Sequence, residues 1–74
     1  MSESYAVLRS YIGDGTERSP IVIAEFYNKR HAYYWIKFLQ MHENSKGQYR
    51  LYLRTLQKTY RVEELPEKYT EFEQ

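Results

Sequence analysis

The chain has 74 residues, no cysteine and a net charge of +1 at pH 7, which limits it to one small domain. The absence of cysteine excludes disulfides, thiolate metal sites and cysteine nucleophiles. No stretch approaches the roughly 20 apolar residues of a membrane-spanning helix. The first residues lack the basic segment and apolar run of a secretory signal. We therefore expect a cytoplasmic protein without a membrane partner.

Charged and aromatic residues are unevenly distributed. Residues 1–62 hold ten basic and five acidic side chains, whereas residues 63–74 hold one basic and five acidic ones. We therefore expect a single α+β domain over residues 1–62 and an acidic C-terminal tail over residues 63–74. Tyr, Phe and Trp make up 18% of the chain, more rings than so small a core can bury. Because tyrosine is favoured at interfaces, this surplus indicates a binding surface.

The first elements in the chain predict a β-hairpin. Alternation of β-forming residues predicts a strand from Ser4 to Ile12 and another from Ile21 to Tyr27. Between them, Gly13-Asp14-Gly15 predicts a tight turn, because Gly and Asp tolerate positive φ angles. The residues expected to face the core are Ala6, Leu8 and Ile12 on the first strand and Val22, Ala24 and Phe26 on the second.

The stretch from Asn28 to Glu43 predicts the one clear helix, with Asn28 as its N-cap. Its apolar arc spans roughly 220°, more than the ~100° needed to cover one sheet. The expected core stripe is Ala32, Trp35, Ile36 and Leu39, the second apolar stripe is Tyr34, Phe38 and Met41, and the polar side is Lys29, Arg30, Tyr33, Lys37 and Gln40. The second stripe needs a cover, and the tail, a second copy of the chain and a foreign partner are the alternatives.

The remainder of the chain predicts more β structure. After a turn at Asn44 to Gly47, strict alternation predicts a strand from Gln48 to Thr55, with Tyr49, Leu51 and Leu53 toward the core. Thr59 to Val62 predicts a short fourth strand. The acidic tail is either disordered or docks Tyr69 and Phe72 on the helix. The expected fold is a small two-layer ββαβ(β) domain of the α+β class, with one helix on one face of an antiparallel sheet.

The uncovered face of this sheet is the main candidate binding surface, because it combines tyrosine with arginine. That pair dominates the energetic centre of protein interfaces, and it also stacks on bases and contacts phosphates. Self-association, a foreign protein and nucleic acid are the alternatives, and the small net charge disfavours nucleic acid. The expected contact residues are Tyr5, Arg9, Tyr11, Tyr27, Arg50, Tyr52 and Arg54, with Tyr34, Phe38 and Met41 as a second patch.

Catalytic and metal-binding patterns are not expected. His31 and His42 would lie about 16 Å apart along the helix, too far to bind one ion. The acidic residues cluster in the tail rather than pairing for acid–base chemistry. The sequence thus favours a small non-enzymatic binding or regulatory protein of the accessory or inhibitor type, a class that includes proteins of viruses and mobile elements. We expect it to act as a homodimer or on another protein, with no cofactor and no small-molecule substrate.

Overall fold

The computed structural model describes residues 4–42 and 48–73 and, within them, one α-helix packed on a curled antiparallel sheet of five strands. The predicted α+β architecture is confirmed. The elements are β1 (Tyr5–Gly13), β2 (Thr16–Glu17), β3 (Ile21–Phe26), α1 (Lys29–His42), β4 (Tyr49–Arg54), β5 (Thr59–Arg61) and two 3₁₀ turns, Val62–Glu64 and Tyr69–Glu71. The predicted end of the helix at Glu43 and the turn at Asn44 to Gly47 lie outside the described residues.

The tight turn forms where the sequence predicts it. Gly13 pairs with Thr16, so the loop consists of Asp14 and Gly15 alone. Their φ angles are 53° and 75°, the left-handed values that a two-residue hairpin turn of type I′ requires. The turn adds one element that the sequence did not predict, because Thr16 and Glu17 return as the short strand β2.

Strand β1 lies at the centre of the sheet. It pairs with β3 and β2 along one side and with β4 along the other, and β5 pairs with the outer side of β4. Val7 is opposite Leu53 and Arg9 is opposite Leu51. Since opposite residues share a sheet face, this register decides which side of β1 meets the helix.

The predicted facing of β1 was wrong. Tyr5 and Val7 lie in the helix-side core with Leu51, Leu53 and Ile36, whereas Ala6 and Leu8 face the opposite side of the sheet. Both sets are apolar and all four β1 residues are buried, so alternation could not choose between the two faces. Pairing with β4 decides which residues of β1 face the helix. Leu51 and Leu53 of β4 face α1, and the β1 residues opposite them must face the same way.

A β-bulge also changes the facing of β3. Val7 pairs with Ala24, but Leu8 pairs with Val22, so Ile23 is the extra residue. Ala24 and Phe26 pack on the core as predicted. Val22 was predicted to join them, but the bulge places it opposite Leu8 on the other sheet face, where it is partly exposed.

Helix α1 begins as predicted, with Asn28 as its N-cap. The Asn28 side-chain oxygen accepts hydrogen bonds from the backbone N–H groups of Arg30, at 2.8 Å, and His31, at 3.3 Å. Ala32, Ile36 and Leu39 are buried, and Trp35 packs its ring 5.6 Å from that of Phe26. Helix α1 has 14 residues, and no helix in residues 4–42 and 48–73 is long and apolar enough to span a membrane.

The C-terminal segment packs against the helix. Leu65 and Phe72 are part of the core. The ring of Tyr33 lies 5.5 Å from that of Tyr69 and 5.6 Å from that of Phe72, and its hydroxyl donates to the Pro66 carbonyl oxygen. Tyr33 was predicted to lie on the polar side of the helix, and this was wrong because the tail covers that side.

Candidate protein-binding surface

The seven residues expected to form one contact surface lie in four different places. Tyr5 is in the core, and Tyr27 is exposed just beyond the end of β3. Arg9 and Tyr11 lie on the helix side of β1, beside Tyr49. Arg50, Tyr52 and Arg54 share the open face of the sheet, opposite Ser10, Leu8 and Ala6. The inverted facing of β1 is the reason for this separation.

On the open sheet face, Arg50 and Tyr52 are held by Glu17. The Tyr52 hydroxyl donates to one Glu17 carboxylate oxygen at 2.6 Å, and the Arg50 guanidinium lies 2.9 Å from the other. Because β1 lies between β2 and β4, these contacts cross over β1, where Ser10 is fully buried. The hydrogen bond from Tyr52 and the charge of Arg50 lower the pKa of Glu17. Burial and the Glu17 carboxylate raise the pKa of Tyr52.

A second group of Arg and Tyr residues lies at the turn end of the sheet, on the helix side. The Arg9 guanidinium lies 4.7 Å from the centre of the Tyr49 ring. Tyr11 meets the same ring edge to face at 5.8 Å. The groove beside them has a volume of about 200 Å³, below the range of typical ligand sites. These side chains stack on one another, so their clustering already has a structural role.

The second predicted patch does come together on one surface. Tyr34, Phe38 and Met41 follow one another at spacings of four and three residues, which places them on the same side of α1. Their exposed fractions are 51%, 56% and 74%. We call this surface, defined by Tyr34, Phe38 and Met41, the outer helix face.

A groove continues from this face toward β3. It has a volume of about 660 Å³, within the range of typical ligand sites. Tyr34 and Phe38 belong both to the groove and to the outer helix face, so the two form one continuous surface. We call it the helix–β3 groove, and it is lined by Phe26, Asn28, Arg30, His31, Tyr34, Trp35 and Phe38.

The Lys and Arg side chains of α1 have no acidic counterpart on the helix itself. Residues 29–42 contain three Lys or Arg and two His, and no Asp or Glu. By helical spacing, Arg30 is the neighbour of Tyr34, and Lys37 is the neighbour of Met41. The Arg30 guanidinium lies 5.9 Å from the Tyr34 ring centre, and the His42 ring lies 4.4 Å from that of Phe38. The surface therefore combines apolar side chains with a cationic border.

Metal-binding groups do not cluster in the part of the chain that the structure describes: no three His, Asp or Glu side chains there could hold an ion together. His31 and His42 lie at opposite ends of α1. Each borders the aromatic surface, His31 in the groove and His42 beside Phe38.

The sequence did not indicate the surface roles of two residues, Glu17 and Trp35. Glu17 was not singled out as a contact residue, yet it holds Arg50 and Tyr52. Its place follows from the turn, because a two-residue loop at Asp14 and Gly15 sets Glu17 opposite Ile12. Trp35 was assigned to the core, yet it is half-buried and lines the groove. No local signal reveals this, since the groove forms only where β3 meets the helix.

Comparison of the chain with known protein families, with curated proteins and with solved structures finds no match. A proposal about function therefore depends on the surfaces themselves. Of the two grooves described above, the helix–β3 groove has the larger volume. It adjoins the outer helix face, whose three apolar side chains are all exposed.

Proposed function

We propose that this protein is a small non-enzymatic binding module that contacts another protein chain through the outer helix face and the helix–β3 groove. The observation that supports this is the exposure of Tyr34, Phe38 and Met41 side by side on one helix. Contiguous exposed apolar patches on small proteins mark interaction sites. Anchors at spacings of three and four residues are typical of recognition through a helix face.

The free energy available from covering this surface is substantial. Full burial of one large apolar side chain contributes about 1.5–3 kcal/mol, and between half and three quarters of each of three such side chains is still exposed here. The chain's own tail covers this surface only at its edge, because Tyr69 contacts Tyr33 at 5.5 Å and Tyr34 at 5.9 Å while Phe38 and Met41 stay 56% and 74% exposed. A partner chain is therefore the cover we propose, either a second copy in a homodimer or a different protein.

Sedimentation and site-specific cross-linking test this proposal together. A photo-reactive amino acid in place of Phe38 should yield a discrete adduct in cells that express the chain, or a cross-linked dimer of the purified protein. Adding Met41→Ser should suppress the adduct, because it removes a neighbouring anchor. The matched control carries the photo-reactive group at Leu56, which is 69% exposed in the loop between β4 and β5.

The proposal fails if both results are found together: positions 38 and 56 give the same adducts, and sedimentation shows a monomer at all concentrations. A dimer that dissociates on Phe38→Ser would identify the partner as a second copy. A monomer with a specific adduct at position 38 would identify it as a different protein. Far-ultraviolet circular dichroism of each variant checks that the fold is retained.

A second candidate is nucleic-acid binding by the open sheet face. It is supported by Arg50, Tyr52 and Arg54, which share that face, and by Arg61, which lies opposite Tyr52 on β5. The salt bridge from Glu17 to Arg50 weakens the case, because it neutralises one of these cations. Arg50→Glu with Arg54→Glu should abolish salt-sensitive binding of a single strand of about 20 nucleotides. Absence of binding by the wild type at low salt would remove this candidate.

A further inference from the structure

Building on the proposed function, we infer that the outer helix face and the helix–β3 groove bind an acidic segment of a different protein that carries large apolar side chains. The apolar side chains would cover Tyr34, Phe38 and Met41 and enter the groove beside Trp35. The acidic side chains would lie along the cationic border of α1. Three features of the structure support this choice of partner.

The first feature is the sign of the charge around the surface. Arg30 and Lys37 flank the outer helix face, His31 lines the groove, and residues 29–42 contain no acidic side chain. A border of one sign attracts a segment of opposite charge and opposes a segment of the same charge. Apolar surface alone would accept many partners, so the charged border is what provides selection.

The second feature is the chain's own C-terminal segment, which docks on α1 beside the outer helix face, with Tyr69 5.9 Å from the Tyr34 ring. This segment carries Glu67, Glu71 and Glu73 around two rings, Tyr69 and Phe72. The Lys29 ammonium donates to the Phe72 carbonyl oxygen at 3.2 Å and lies 5.5 Å from the Phe72 ring centre. A segment with aromatic anchors and several acidic residues is thus already docked on this basic helix, through ring contacts and through a lysine that meets a backbone carbonyl and a ring.

The third feature disfavours a second copy as the occupant. A symmetric dimer across the outer helix face would place two helices together, each with Arg30 and Lys37 and no acid between residues 29 and 42. Like charges that face each other across an interface oppose association. The acidic residues of a second copy are concentrated in its tail, which packs on its own α1. A foreign acidic segment brings no like charges to the helix, and its acidic residues are not already packed on a helix of its own.

Trp35 provides a direct probe of binding. It is the single tryptophan of the chain and lines the groove. The ligand is a synthetic peptide of about 16 residues with Leu and Phe at spacings of three and four and Glu elsewhere. Its twin carries Lys in place of every Glu. We expect the acidic peptide to shift Trp35 emission to saturation and to bind about tenfold more tightly than the basic twin at low salt. Raising NaCl to about 0.5 M should shrink that ratio.

Two double variants separate apolar contact from charge. Phe38→Ser with Met41→Ser should lower the affinity for the acidic peptide by about tenfold or more, because both anchors are lost. Arg30→Glu with Lys37→Glu should invert the preference, so that the basic twin binds more tightly. Leu56→Ser is the matched control and should leave both affinities unchanged, since it replaces an exposed apolar residue outside the surface. Titration calorimetry of the same pairs detects binding that leaves Trp35 emission unchanged.

The possible contrary results are distinct. Equal affinity of the two peptides, still dependent on Phe38, would overturn the charge selection and leave the proposed function standing. A homodimer that dissociates on Phe38→Ser, or a single-stranded oligonucleotide that displaces the acidic peptide and binds more tightly, would identify a different occupant and overturn the inference. Absence of peptide binding overturns the inference whatever the cross-linking shows, and a lack of specific adducts at position 38 would then overturn the proposed function as well.

Discussion

Tyr33 and Tyr34 are adjacent in the chain and identical in chemistry, yet their surroundings differ completely. Tyr33 is 1% exposed and lies between Tyr69 and Phe72, whereas Tyr34 is 51% exposed. Successive residues of a helix point about 100° apart, so the docked tail encloses the Tyr33 ring but only borders the Tyr34 ring, which lies 5.9 Å from that of Tyr69. The comparison shows that the tail, rather than residue type, divides the aromatic surface of α1 into a covered side and an open side.

The largest expected effect is the difference in stability between truncating the Tyr33 ring and truncating the Tyr34 ring. Tyr33→Ala would leave a cavity between α1 and the tail and should reduce the free energy of unfolding by about 3–5 kcal/mol. Tyr34→Ala removes a half-exposed ring and should cost less than about 1 kcal/mol. Urea denaturation of both variants measures the difference. Similar losses for the two would mean that the tail does not dock on Tyr33 in solution.

A smaller effect is expected from removing only the Tyr33 hydroxyl. Tyr33→Phe keeps the ring contacts but loses the hydrogen bond to the Pro66 carbonyl, which should cost about 0.5–1.5 kcal/mol. Tyr34→Phe is the matched control and should be nearly neutral. Thermal unfolding at neutral pH separates the two, and an equal effect would contradict the covered position of Tyr33.

The same hydroxyl should make the stability of the protein fall as the pH becomes alkaline. Burial raises the pKa of Tyr33 above its ordinary value of 10.0, and the neighbouring Tyr34, Glu71 and Glu67 add to this. The unfolded chain therefore loses the phenol proton first as pH rises, so this stabilisation is complete below pH 10 and is lost as pH rises through the folded pKa. Denaturation midpoints from pH 8 to pH 11 should fall less steeply for Tyr33→Phe than for the wild type. Tyr52 and Tyr60 also have raised pKa values, so part of the slope should remain.

The smallest effect on stability is expected on the open side of the helix. Phe38→Ser with Met41→Ser removes exposed side chains and should change the free energy of unfolding by no more than about 0.5 kcal/mol per site. The double variant should nevertheless lose partner binding, so function and stability separate there. A large loss of stability would indicate that this side is covered within the protein, contrary to the comparison with Tyr33.

Several parts of the fold could be predicted because their signals are local. The Asp14-Gly15 turn depends on two residues that tolerate positive φ, and the start of α1 depends on the Asn28 side chain bonding to the next turn. Leu51 and Leu53 alternate with Tyr52 and arginines, so β4 has one clear core face. The outer helix face could be predicted for the same reason, since the spacing of Tyr34, Phe38 and Met41 is itself a helical pattern.

Other parts could not be predicted because the local pattern of residues fits two arrangements equally well. Tyr5 and Val7 compete with Ala6 and Leu8 for the core side of β1, and both pairs end buried. Only pairing with β4 resolved that choice, and the bulge at Ile23 separately changed the facing of Val22 on β3. The assignment of Arg50 and Tyr52 to a free contact surface missed Glu17, which reaches them from the other side of β1 across a long sequence separation.

The sequence by itself determined the class of fold, the single helix, the tight turn and the presence of more aromatic residues than one small core needs. These depend on residue spacing and on backbone preferences, which act between near neighbours. Only the tertiary structure decided where the surplus rings lie. Docking of the tail buries Tyr33 and borders Tyr34, Trp35 lines the groove beside β3, and Tyr34, Phe38 and Met41 stay 51%, 56% and 74% exposed. Such contacts join segments far apart in the chain, and their free energies cannot be read from local pattern.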